Sequence, residues 1–146
     1  MKKFAWGLFL LILLPFGSSL HAEEVIVAKI TVIIASNNGN DFNLENDAYR
    51  DQLIKLFSYT SYKQVKEYSL KLEKVKQEVL VIPGDYEFVL TFRGRERGRT
   101  LIGALIQKGD RKFLNTDLAI SGNGPVFLGG PPVDSGVLLL VIETLP

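Results

Sequence analysis

The chain has 146 residues, with 17 basic and 16 acidic side chains, one His and no Cys. The lack of Cys excludes a disulfide framework and thiolate metal sites, and a net charge of +1 offers no global attraction to nucleic acid. With 47% hydrophobic residues, a chain of this length has the material for one buried core.

Lys2 and Lys3 open the sequence and are followed by an apolar run, Phe4 to Phe16, and by Gly17-Ser18-Ser19-Leu20-His21-Ala22. A basic start, an apolar middle of about 7–15 residues and a small-residue exit spell a secretory signal peptide. The run is shorter than the roughly 20 residues of a spanning helix. Residues 1–22 are therefore predicted to be a signal peptide, cut after Ala22 or, because Leu20 is bulky, after Ser19. Residues 23–146 are predicted to form a single β-rich domain that is periplasmic or secreted and not integral to the membrane. Met1, Trp6 and His21 all lie in the leader, so the remainder has no His, Trp, Met or Cys.

The first element of that domain, Val25 to Ala35, is β-branched and apolar on both parities, as in a strand covered on both faces. Ser36 to Asp47 is a polar loop. Asn46 or Asp47 caps a short helix, Ala48 to Phe57, whose buried face is Tyr49, Leu53, Leu56 and Phe57. Phe57, Tyr59 and Tyr62 then anchor the helix exit to the sheet.

Lys63 to Ile82 reads in two ways. Val65, Tyr68, Leu72, Val75, Val79 and Ile82 fit a helical heptad, whereas Tyr68, Leu70 and Leu72 alternate with polar residues, with Val75, Val79 and Val81 alternating in the opposite register. Two strands with a reversal near Glu73-Lys74 are favoured by the ending Val79-Leu80-Val81-Ile82. Pro83-Gly84-Asp85 is a turn; Phe88, Leu90 and Phe92 alternate with Val89 and Thr91; Arg93 to Arg99 is a charged tip. Thr100 to Gln107 is apolar again, and Lys108 to Arg111 turns. Leu114, Thr116, Leu118 and Ile120 form the inward side of a half-buried strand. The final hairpin is placed around Pro131-Pro132, because neither residue donates to a ladder. Val137 to Ile142 is apolar on both parities like the first strand, and the two are predicted to lie side by side at the sheet centre. The fold class is mainly β (α+β): about eight mostly antiparallel strands in a sandwich-like or curved sheet, with one short helix after the first strand.

Downstream of the leader there is no imidazole or thiol for the common nucleophilic and proton-shuttling machinery. Gly122 to Gly130 lacks the Gly-Lys-Ser/Thr ending of a phosphate loop, so its glycines are turn residues. Asn37 to Asp47 is rich in oxygen donors but lacks the EF-hand spacing, which favours a plain polar loop over a calcium site. Asp85 and Glu87 are the nearest approach to a carboxylate pair. Arg93, Arg95, Arg97 and Arg99, with Glu96 among them, present fork-shaped donors suited to phosphate or carboxylate. They are the candidate binding residues for an anionic partner, against a reading as a solvated hairpin tip.

The segments Phe57-Ser58-Tyr59-Thr60-Ser61-Tyr62 and Gly124 to Glu143 resemble an uncharacterised family of small exported bacterial proteins. In that family a Val-rich strand and an F-x-Y-x-S-Y element precede β-rich sequence ending in a Gly-Gly-Pro hairpin. The resemblance implies export and a β-rich fold, and brings no activity or ligand. The expectation is an exported, non-catalytic binding or assembly module of the cell envelope, without cofactor or metal, meeting an envelope protein or an anionic surface and not nucleic acid. A structural accessory subunit of an envelope complex is the alternative, and a carboxylate-only hydrolase the least favoured.

Overall fold

The computed structural model describes residues 24–122 and 124–145. The predicted signal peptide lies outside the described residues. Nine strands are present among them: β1 (Val25–Ser36), β2 (Phe42–Asn43), β3 (Ser61–Glu73), β4 (Gln77–Ile82), β5 (Tyr86–Glu96), β6 (Arg99–Lys108), β7 (Arg111–Ser121), β8 (Val126–Val133) and β9 (Gly136–Leu145). One helix, α1 (Ala48–Leu56), follows the first two strands. The first sheet has the order β2-β3-β1-β9-β8 and the second β4-β5-β6-β7. All pairings are antiparallel except the two-residue β2–β3 pair and an isolated bridge, Lys74 to Phe92.

The two sheets pack face to face. Ile26, Ala28, Ile30 and Val32 of β1 and Leu138, Leu140 and Ile142 of β9 meet Phe88, Leu90 and Phe92 of β5 and Ile102 and Ile106 of β6 in one core. The opposite face of the first sheet carries a second, smaller core. There Ile33, Ala35, Leu139 and Val141 meet Tyr49 and Leu53 of α1. This explains why β1 and β9 are apolar on both parities: they are neighbours in mid-sheet, with the second sheet on one side and the helix on the other.

A β-bulge lets β3 serve both cores. Val32 pairs with Lys66 and Ile33 with Gln64, so Val65 is the extra residue, and it is 45% exposed. Beyond it the parity switches. Tyr68, Leu70 and Leu72 face the second sheet, and Tyr62 faces the helix. Tyr62 closes the helix exit: its hydroxyl lies 3.4 Å from the Leu53 carbonyl and 3.3 Å from that of Phe57, and accepts from the Tyr59 amide at 3.3 Å. The aromatic triplet thus packs as the sequence predicts, and Lys63 to Ile82 is sheet.

Two expectations need correction. Pro131 and Pro132 do not form the last reversal; they lie within β8, and the chain turns at Asp134-Ser135. β8 is an edge strand, irregular between Gly129 and Pro132, so prolines there cost no ladder bond. Leu56 is not on the buried helix face but is 59% exposed, because the nine-residue helix seats only Tyr49 and Leu53 fully.

Candidate functional site

The alternation of strands gives the sandwich two ends with different chemistry. At one end lie the start of β1, the β3–β4 turn, the β5–β6 hairpin and the end of β9. The four predicted arginines all belong to this hairpin, but they do not share a face. Arg93 is the bulged residue between Phe92 and Gly94; it turns to the outer face of the second sheet, where its Nη1 is 3.2 Å from Asp117 Oδ1. Gly103 makes room for that guanidinium, since a Cβ there would meet Arg93 Nη2. Arg95 lies at the rim of the sandwich, in a cavity of about 120 Å³ with Glu24, Val25, Ile26 and Phe92. Arg97 and Gly98 form the two-residue turn, both with positive φ (51° and 75°). Such turns match the twist of a hairpin. Arg99 follows, opposite Glu96. Arg95, Arg97 and Arg99 are exposed at the end of the molecule, whereas Arg93 is engaged with Asp117.

Sequence reasoning missed the second contributor to this end. The β3–β4 turn sits beside the hairpin: the Val75 amide donates to the Phe92 carbonyl at 2.7 Å. This brings Lys74 and Lys76 alongside the arginines. Lys74 Nζ is 3.9 Å from Glu24 Oε2, and Lys76 pairs with Glu73. Between the two lysines Val75 is 75% exposed, and Val25 (40%) and Leu145 (44%) are also open at this end. The signal was present in the sequence as a Lys-Val-Lys triplet at the predicted reversal.

The opposite end is a polar mouth. Two cavities of about 400 and 360 Å³ adjoin there and share Ile34 and Ser135. Tyr86 Oη donates to the Pro132 carbonyl at 2.8 Å, tying the second sheet to β8. Lys108 Nζ donates to the Gly84 carbonyl at 2.9 Å and lies 5.1 Å from the Tyr86 ring centre. Asp85 lines this mouth. Glu87 does not: its side chain accepts from Gln107 Nε2 at 3.1 Å. The carboxylate pair is thus divided between two surroundings. Phe42 and Asn43 of the oxygen-rich loop are taken up by β2, and among the described residues no three Asp, Glu, His or Cys gather as metal ligands. Among them, too, no helix is long and apolar enough to cross a membrane.

One partly exposed polar cluster lies beside the helix. Lys29 bridges Glu67 (3.7 Å) and Glu143 (3.8 Å) on the outer face of the first sheet. The hydroxyls of Tyr49 and Thr31 are buried next to it without a completed hydrogen bond. Burial, then the Glu143 carboxylate, push the Tyr49 phenol up to about 12. A phenol harder to ionise when folded stabilises the fold fully below pH 10, and that contribution falls as pH rises from 10 to 12. Tyr49 alone is expected to lower the unfolding free energy by about 1.4 kcal/mol per pH unit in that window, and Tyr62, whose phenol burial also raises, adds a contribution of the same sign. Tyr49→Phe should remove its own share of that slope from urea titrations taken across the window. An unchanged slope would mean that Tyr49 ionises normally.

Comparisons with protein-family models, curated proteins and solved structures gave no match.

Proposed function

We propose that the chain is an exported, non-catalytic binding or assembly module of the bacterial cell envelope, acting in the periplasm or outside the cell. Its cation-bearing end is the contact surface for an anionic partner. One observation carries this reading: two separate turns deliver Lys74, Lys76, Arg95, Arg97 and Arg99 to the same end, where Glu24, Glu73 and Glu96 balance them only in part. Fork-shaped arginine donors held on a hairpin suit phosphate and carboxylate oxygens.

Immobilised inorganic polyphosphate tests it, because it offers phosphate without lipid or protein. The exported product should be retained at low salt and released near 0.5 M, where screening is strong. Exchanging Arg95, Arg97 and Arg99 for Ser should weaken retention by about 3 kcal/mol, at about 1 kcal/mol per cation. Exchanging Lys108 and Arg111, at the polar mouth, should leave it intact. Equal losses from the two sets, or no retention of the parent chain, would refute the reading.

A structural accessory subunit is the second reading. It is favoured by the outer face of the second sheet, where Val79 (54%) and Val81 (64%) stand exposed. Such a subunit needs a stoichiometric protein partner, lost on Val81→Asp.

A further inference from the structure

We propose that the cation-bearing end docks on an anionic lipid bilayer with Val75 inserted among the headgroups; this rests on the reading of that end as an anionic contact. Val75 is the residue that otherwise lacks a purpose. It is β-branched, yet its φ is 61°, in the left-handed region that such residues avoid. It is also 75% exposed, the most open of the large hydrophobic residues among the described residues. A glycine would sit there without strain, and a polar residue would be better solvated.

The tip is held in place. The Val75 amide donates to Phe92 of the neighbouring sheet, and the Lys76 amide to the Glu73 carbonyl at 3.1 Å. An aliphatic tip between two exposed lysines, backed by Arg95 and Arg97, matches the layering of an anionic leaflet, with charge at the phosphates and apolar material beneath. A free phosphate or an acidic protein would use the cations but would gain nothing from an inserted valine.

The chain's own course agrees. β1 enters at this end, with Glu24 beside Lys74. Eight residues separate the apolar run Phe4–Phe16 from Val25, a distance of at most about 30 Å. While the predicted signal peptide is still held in the membrane during export, this is the end tethered to the leaflet.

The test uses the product recovered after export, which without the predicted leader has no Trp, so that an introduced indole is the only one. Val75→Trp should shift its emission to the blue on adding vesicles of equal phosphatidylglycerol and phosphatidylcholine, and not on phosphatidylcholine alone. Val81→Trp, exposed on the face of the second sheet, should not shift. Val75→Gly provides a second readout. It should raise the Tm by relieving the backbone and weaken vesicle cosedimentation about tenfold by removing the apolar tip. An unshifted Val75→Trp, or a Val75→Gly chain that sediments like the parent, overturns the insertion. Polyphosphate retention of that same chain then separates the two claims: retained, only the bilayer docking falls; not retained, the anionic contact falls with it.

Discussion

A chain ending at Gly130 is expected to accumulate as insoluble material with no cooperative thermal transition. The deletion removes β9, the strand between β1 and β8. Leu138, Leu139, Leu140, Val141 and Ile142 are each no more than 1% exposed, three in the inter-sheet core and two against the helix. At about 1.5–3 kcal/mol for each buried aliphatic side chain, their loss alone amounts to about 7–15 kcal/mol. That equals the whole stability of an ordinary domain, about 5–15 kcal/mol. The deletion also bares the edge of β1 from Val27 to Ala35, where Lys29 and Thr31 are the only polar breaks of the kind that protect natural edges. Solubility after expression and circular dichroism of any soluble fraction decide the matter. A soluble monomer with a sheet spectrum would show that β9 is not the keystone of the first sheet.

Gly136→Ala should be the costliest single exchange outside the core. A Cβ there would be driven into the Ala35 carbonyl oxygen, which belongs to the central strand and has no room to retreat, and its φ of 155° is one that other residues seldom adopt. A loss of about 2–4 kcal/mol in urea unfolding is expected, at the upper end for single substitutions. Gly98→Ala is the comparison. Gly98 has φ +75°, but a Cβ added there would meet nothing within 4 Å, so only the backbone preference is lost, about 1 kcal/mol. The difference between the two reports the close approach of the β8–β9 turn to β1. Equal losses would mean that the turn relaxes away from Ala35.

Much of the architecture was legible because hydrophobic parity follows burial. β1 and β9 are apolar on both parities, and they lie in mid-sheet. Leu118 and Ile120 alternate with Asp117 and Ala119 and face inward, as the pattern demands. Parity misled in β4: Val75, Val79 and Val81 alternate as one apolar set, yet Leu80 and Ile82 turn inward, Val79 and Val81 are exposed and Val75 lies in the β3–β4 turn. Nor does local sequence mark the bulge at Val65. The even spacing of Tyr62 and Tyr68 suggests one face, and the extra residue sends them to two different cores. The Pro131-Pro132 pair misled because a missing donor excludes a central strand, not an edge.

The candidate site divided in the same way. The arginine run was visible as a charged hairpin tip, since Arg97-Gly98 is a local turn. Two features depended on tertiary structure. The bulge at Arg93 spends one of the four arginines on Asp117. The parallel bridge from Lys74 to Phe92 brings the Lys74-Val75-Lys76 tip beside the hairpin. Neither follows from spacing along the chain, because each requires knowing which turn lies next to which strand end.

Amide hydrogen exchange, with and without phosphatidylglycerol vesicles, tests across the whole molecule whether the proposed contact lies at the cation-bearing end. Slower exchange is expected in residues 73–76 and 94–99, with no change in 83–86, 108–111 and 133–136 at the polar mouth. Protection confined to the mouth, or none at either end, would contradict docking through the cation-bearing end.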